Sequence, residues 1–167
     1  MDAIRARGRA GCAGGAGWRT HIGSMKLSTI GYERATLPDV IGRLKAAGVE
    51  VVVDVRAVAS SRRAGFSKTV LAASLAEAGV DYVHLRALGT PKAGRQAARA
   101  GRTAEMREIF EGHLAEPEAQ GELAQATEIA AQRPAALLCF EAEACGCHRR
   151  IVAARICERL ACEVVDL

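Results

Sequence analysis

The run VEVVVDV at residues 49–55 constrains the fold more than any other stretch of this chain. It is nearly all apolar and β-branched, with no polar alternation to give it a solvent face. A run of that kind reads as a strand covered on both sides, which is the usual situation in a parallel sheet flanked by helices. Gly48 stands immediately before it and a polar, arginine-rich stretch follows.

The rest of the chain fits that frame. KLSTI (26–30) predicts a first strand ended by Gly31. Thr36 is a helix N-cap with Asp39 three residues on, and Leu37, Val40, Ile41 and Leu44 form a helical stripe that Gly48 closes. Ser67 caps a second helix with Val70, Leu71, Leu75 and Ala78 inward, and DYVHL (81–85) is a third strand. Residues 89–102 contain no sizeable apolar side chain and no acid, so they read as a long connection, functional or mobile. Helices follow from Thr103, with Met106, Ile109, Phe110 and Leu114 on one face, and from about Pro117 to Gln132. Then come a strand at 135–140, a helix with Val152, Ile156 and Leu160 inward, and a last strand, CEVVDL. This alternation predicts a single three-layer α/β domain over residues 26–167, with about five mostly parallel strands and helices on both faces.

Residues 1–24 are Gly, Ala and Arg with almost no large aliphatics. They are expected to be a disordered tail or the product of a misassigned start, with Met25 directly before the first strand. They lack the apolar centre of a secretory signal, and no apolar run in the chain is long enough to span a bilayer. Six cysteines in such a chain suggest a reducing, cytoplasmic setting, with Cys157 and Cys162 as core thiols. The formal charge is +4, but the first 25 residues hold four arginines against one acid and so supply +3 of it. Residues 54–102 hold nine basic against three acidic side chains. A basic middle is either a solvated face or a site for an anion.

In a parallel sheet the loops at the carboxyl ends of the strands share one edge, so distant residues can meet over one crevice. Tyr32, Glu33 and Arg34 follow the first strand, and Asp54, Arg56, Arg62 and Arg63 follow the second. Asp54 and Arg56 flank Val55 and point the same way on an extended backbone. They form either a salt bridge that fixes the loop or an anion clamp built on Arg56. Arg62 and Arg63 are surface residues or the grip for a larger polyanion. Aromatic residues make up 4% of the chain, so base stacking between basic residues has little support. His84, alternating with Tyr82, reads as a hydrogen-bonded structural histidine.

The densest chemistry lies at 135–152, AALLCFEAEACGCHRRIV. Three readings stay open. Cys139 could be a nucleophile at a strand–loop–helix, although the arginine that cysteine phosphatases and rhodaneses place six residues on is here Cys145. Cys139, Cys145, Cys147 and His148 could bind a soft metal such as zinc. In the third reading, the preferred one, the thiols are incidental and no metal is bound. His148 and Arg149 then hold an anion, with Glu141 as acid or base. That reading expects a buried Cys139 that alkylates slowly, and an Arg149 whose removal spares the fold.

Four blocks carry a family resemblance: TIGYE (29–33), VVDVRAVASSRRAGFSK (52–68), YVHLRALGTPKAGR (82–95) and LLCFEAEACGCHRRIVA (137–153). In this order they resemble the bacterial and archaeal family catalogued as domain of unknown function 488, over essentially all of residues 26–167. The family's pattern falls on Asp54-Val55-Arg56, Cys139-Phe140-Glu141 and Cys147-His148-Arg149. Ala59 stands where many relatives have proline, and Cys145 is an addition of this sequence. The resemblance implies one α/β domain and brings no activity or cofactor with it.

The expectation is an enzyme acting on a phosphorylated or nucleotide-like anion at the carboxyl edge of the sheet. Arg56, Arg62, Arg149, Asp54 and Tyr32 would bind the substrate. Glu141 and His148 would move protons, and Cys139 or Cys147 would serve as nucleophile. The alternatives are a non-catalytic module that binds nucleic acid or a protein partner through residues 62–68 and 92–102, and a zinc-stabilised domain. No membrane is involved in any of them.

Overall fold

The computed structural model describes residues 25–167, so the expectation for residues 1–24 lies outside it. Five strands form one sheet: β1 (Lys26–Gly31), β2 (Val51–Asp54), β3 (Asp81–His84), β4 (Ala135–Cys139) and β5 (Glu163–Asp166). Their order across the sheet is β3-β2-β4-β1-β5, and every neighbouring pair is parallel. Six helices connect them: α1 (Leu37–Ala46), α2 (Lys68–Glu77), α3 (Lys92–Arg99), α4 (Thr103–Leu114), α5 (Pro117–Gln132) and α6 (His148–Leu160). No helix of the described residues is long and apolar enough to cross a membrane.

Side-chain alternation along the strands builds two cores. Val51 and Val53 pack with Met106, Phe110, Leu123, Val152 and Ile156 from α4, α5 and α6. Val52, between them, turns to the opposite face with Val40, Leu44, Leu71 and Leu75 from α1 and α2. β1 and β2 therefore lead to helices on one face, while β4, which lies between them, leads to α6 on the other. The loop after β4 is flanked on both sides by loops departing the opposite way, which opens a crevice at the carboxyl edge.

Several local expectations hold for the reasons given. Thr36 and Asp39 form a reciprocal capping box at the start of α1, and Val40 and Leu44 are fully buried. Others are corrected. Ser67 occupies the N-cap position of α2 but makes no capping bond. Its hydroxyl instead donates to the Ser61 carbonyl and accepts from the Ser61 amide, closing the basic loop. Val70 is 51% exposed, because Leu71 and Leu75 alone fill the contact with the sheet.

Residues 89–102 are not an irregular connection, since most of them form α3. The helix packs without large side chains. Gly94 and Ala97 are buried against α4, and a side chain at Gly94 would run into Thr90 and meet Ile109. Cys157 and Cys162 are not free core thiols but are joined in a disulfide. After α6 ends at Leu160, Ala161 takes a left-handed conformation that folds the two residues back on each other.

Candidate active site

The strand ends deliver their side chains in a fixed alternation. Cys139 ends β4 opposite Gly31 of β1, and a side chain at Gly31 would collide with the Glu141 carbonyl. Only glycine lets the β4 loop cross β1 this closely. Cys139 and Glu141 point inward, while Phe140 between them is 41% exposed at the lip, edge-on to Tyr32. Cys147 caps α6 and His148 begins it, which returns the chain to Cys139.

These four residues meet. The Cys139 and Cys147 thiols lie 2.9 and 3.1 Å from Glu141 Oε2. His148 Nδ1 lies 3.8 Å from the Cys139 Sγ and 3.7 Å from the Cys147 Sγ. On the far side of the ring, Nε2 is 2.8 Å from the Val55 carbonyl. A carbonyl only accepts, so Nε2 carries the proton and Nδ1 faces the sulfurs. The ring also packs against Phe110. Cys139, Cys147 and His148 are buried, and Glu141 is partly exposed. Cys145 stands apart: its thiol is exposed, and its carbonyl accepts from Arg107.

The electrostatics of the cluster are uneven. Shared hydrogen bonding with Cys147, together with burial, raises the Cys139 thiol well above the ordinary range. Burial opposes ionisation of Cys147 too, but its bonds to Cys139 and His148, and the His148 and Arg149 charges, hold it well below that range. Burial and the adjacent Cys147 raise the Glu141 carboxyl. Burial works against a charged His148, yet its contact with Cys147 outweighs it and raises the imidazole.

The arginines expected to bind anions are used differently. Arg56 is 4% exposed and grips Asp54, which is fully buried, through Nε and Nη2. Its Nη1 donates to the Tyr32 hydroxyl and the Phe66 carbonyl. Tyr82 donates to the same Asp54 carboxylate, and burial and that bond raise its phenol above the ordinary range. His84 bonds the Arg56 carbonyl, as a structural histidine would. Arg149 is 1% exposed, with Nε on the Thr29 hydroxyl, Nη1 on the Glu141 carbonyl and Nη2 on the Ala142 carbonyl. All three guanidinium nitrogens of Arg149 are engaged, two of them in fixing the loop that carries Glu141, an arrangement at odds with a freely removable anion ligand. Arg56 corresponds to the salt-bridge reading of the Asp54 pair.

Over the cluster lies a cleft of about 840 Å³. Glu141, Cys147 and His148 form part of its floor, and Tyr32 and Phe140 line one wall. Arg62 and Arg63 line it from the loop after β2, and Arg95 and Arg99 from α3. None of these four is in an ion pair among the described residues, although Arg95 donates to the Thr90 carbonyl and Arg63 to the Ala35 carbonyl. Arg95 and Arg99 belong to residues 92–102, which the sequence offers as a binding surface only in the nucleic-acid or partner alternative and not as part of the small-anion site. Their four-residue spacing, offset from the small Gly94 and Ala97, is the signal that places both on one helix face.

The fold and site together define an all-parallel α/β protein with a basic cleft over a cysteine–histidine–glutamate cluster. The chain belongs to the family described as domain of unknown function DUF488, whose profile matches residues 36–156. That span contains every residue of the cluster and all four cleft arginines. No curated protein and no solved structure matches the chain.

Proposed function

We propose that the cleft is an active site for a phosphorylated or nucleotide-like anion. One observation carries this reading: four arginines that form no ion pair among the described residues converge on a cleft whose floor holds Glu141, Cys147 and His148. Guanidinium forks suit phosphate oxygens. The exposed ring of Phe140, backed by Tyr32, offers an aromatic face for a base or another planar group. Arg62, Arg63, Arg95 and Arg99 take over the binding role, while Asp54, Arg56, Tyr32 and Arg149 hold the walls and floor in place. Glu141 is partly open to the cleft, where its carboxyl is within reach of a bound substrate.

Titration calorimetry at low salt with inorganic phosphate, nucleoside mono- and diphosphates and sugar phosphates tests this. Saturable binding is expected, with Arg95→Glu and Arg62→Glu each weakening it at least about tenfold, since a charge-assisted hydrogen bond contributes about 1.5–3 kcal/mol. Glu141→Gln should retain binding and lose turnover. Absence of saturable binding, or binding unchanged by both arginine substitutions, would refute the reading.

A second reading has one observation in its favour: Arg62 and Arg99 are exposed, so the basic rim is reachable by a longer polyanion. Tight binding of single-stranded DNA or RNA that weakens steeply with salt, with no affinity for the small phosphates, would favour a nucleic-acid module.

A further inference from the structure

We infer that the floor of the cleft is a metal centre in which Cys139, Cys147, His148 and Glu141 bind one zinc-class divalent cation. The ligand atoms of these four residues all lie within 4.8 Å of one another. The Sγ–Nδ1 separations of 3.7 and 3.8 Å are close to the edge of a tetrahedron around zinc, roughly 3.5 Å for Zn–S near 2.3 Å and Zn–N near 2.0 Å. The Glu141 oxygen sits closer to the two sulfurs, at 2.9 and 3.1 Å, and a small rotation of a partly exposed carboxylate opens that gap.

The surroundings are those of a metal site. His148 has its far nitrogen fixed on the Val55 carbonyl, which orients the ring and leaves Nδ1 as the ligand, the usual arrangement for a metal-bound imidazole. The loop bearing Glu141 is held by Arg149 on two carbonyls and by Glu33, whose carboxylate accepts from the Ala142 amide. Three acidic groups converge here, yet among the described residues no guanidinium or ammonium bonds to either sulfur or to the Glu141 carboxylate. A divalent cation would supply, by direct bonds to the sulfurs and the carboxylate, the counter-charge that Arg149 offers only from a distance. Two thiolates and an imidazole select zinc over magnesium or calcium, which take oxygen ligands.

The set differs from the one suggested by sequence spacing. Cys145 is exposed and away from the cluster, and Glu141 takes its place. The difference matters, because three of the ligands are buried while Glu141 alone is partly open to the cleft. Cys139, Cys147 and His148 form the permanent triad, and Glu141 occupies the position that water or a substrate oxygen can take. Three protein ligands with one exchangeable position is the pattern of a catalytic zinc site, whereas structural sites are closed. The inference deepens the proposed active site, but the metal is assigned from the cluster alone and does not depend on the arginines.

The test begins with the full chain purified without chelator or affinity metal. Elemental analysis should give about one zinc per chain. Removing the metal under reducing conditions and adding Co(II) should give a near-ultraviolet sulfur-to-cobalt band and the visible bands of a tetrahedral centre, saturating at one equivalent. Cys147→Ser and Cys139→Ser should each weaken metal binding more than about 100-fold, while Cys145→Ser leaves it unchanged. Glu141→Gln should keep the metal, shift the visible cobalt bands and weaken binding by a smaller factor. Reduced wild-type protein that is folded by circular dichroism yet takes up neither zinc nor cobalt would overturn the proposal, whatever the variants do. Binding abolished by Cys145→Ser, or fast selective alkylation of Cys139 or Cys147 that added zinc does not slow, would overturn it as well. Phosphate binding is measured separately, so loss of the metal assignment and loss of the substrate assignment are distinguishable.

Discussion

Replacing Asp54 with alanine separates a structural role for the Asp54–Arg56 pair from a substrate-binding one. Asp54 is fully buried and Arg56 is 4% exposed, so neither charge can recover its water when the other is removed. The carboxylate accepts from the Arg56 amide, from Arg56 Nε and Nη2, and from the Tyr82 hydroxyl. Asp54→Ala leaves the guanidinium with Tyr32 and Phe66 as its only partners, a buried charge without a counter-charge. Breaking a buried pair from one side costs about 3–5 kcal/mol. For a domain of this size that corresponds to a fall in Tm of roughly 10–15 °C. Arg56→Lys keeps the charge, but one ammonium cannot reach Asp54, Tyr32 and Phe66 together, and about half that loss is expected. Urea unfolding followed by circular dichroism measures both, and the double variant Asp54→Ala with Arg56→Met should lose less than the sum of the Asp54→Ala and Arg56→Met single changes. A cost below about 1 kcal/mol for Asp54→Ala, together with loss of phosphate binding, would refute the structural assignment and restore Arg56 as an anion ligand.

Two further substitutions address neighbouring parts of the argument. Arg149→Met should destabilise the domain by about 3 kcal/mol or more, because it releases the Glu141 and Ala142 carbonyls and the Thr29 hydroxyl inside the protein; unchanged urea unfolding would return Arg149 to the role expected from sequence. Thr36→Ala should lower Tm at neutral pH and approach wild type in acid. The Thr36 hydroxyl and amide hold the Asp39 carboxyl below its ordinary value, so this stabilisation is present above the unfolded carboxyl's pKa and is lost as pH falls through the folded one. A Tm difference that stays constant from neutral pH to pH 3 would count against the capping box.

The fold was legible because its signals were redundant. VEVVVDV could be little other than a buried strand, and the stripes of α1, α4 and α6 each had large aliphatics at helical spacing. α3 lacked that signal, since a helix packed through Gly94 and Ala97 buries no residue that hydropathy would notice. The disulfide was hidden for a different reason. Cys162 lies five positions after Cys157, and the left-handed turn at Ala161, a conformation alanine seldom adopts, brings them together.

For the candidate site, the sequence indicated which residues would come together more than what each of them bonds. Cys139-x-Glu141 on an extended backbone and Cys147-His148 at a helix start had to converge once β4 lay between β1 and β2. Nothing in the sequence distinguishes an arginine with a free fork from one whose donors are consumed, since that depends on which carbonyls the fold brings within reach. The outcome follows burial. Arg56 and Arg149 sit directly at strand and helix ends, where any guanidinium must satisfy its donors internally or destabilise the fold. Arg62, Arg63, Arg95 and Arg99 lie one step further out, on a loop and on a helix packed through glycine and alanine, and they can remain solvated until a ligand arrives. On the proposed reading an anion-binding surface in this fold falls to the outer arginines, while the hydrogen bonds of the inner two tie down the floor beneath them.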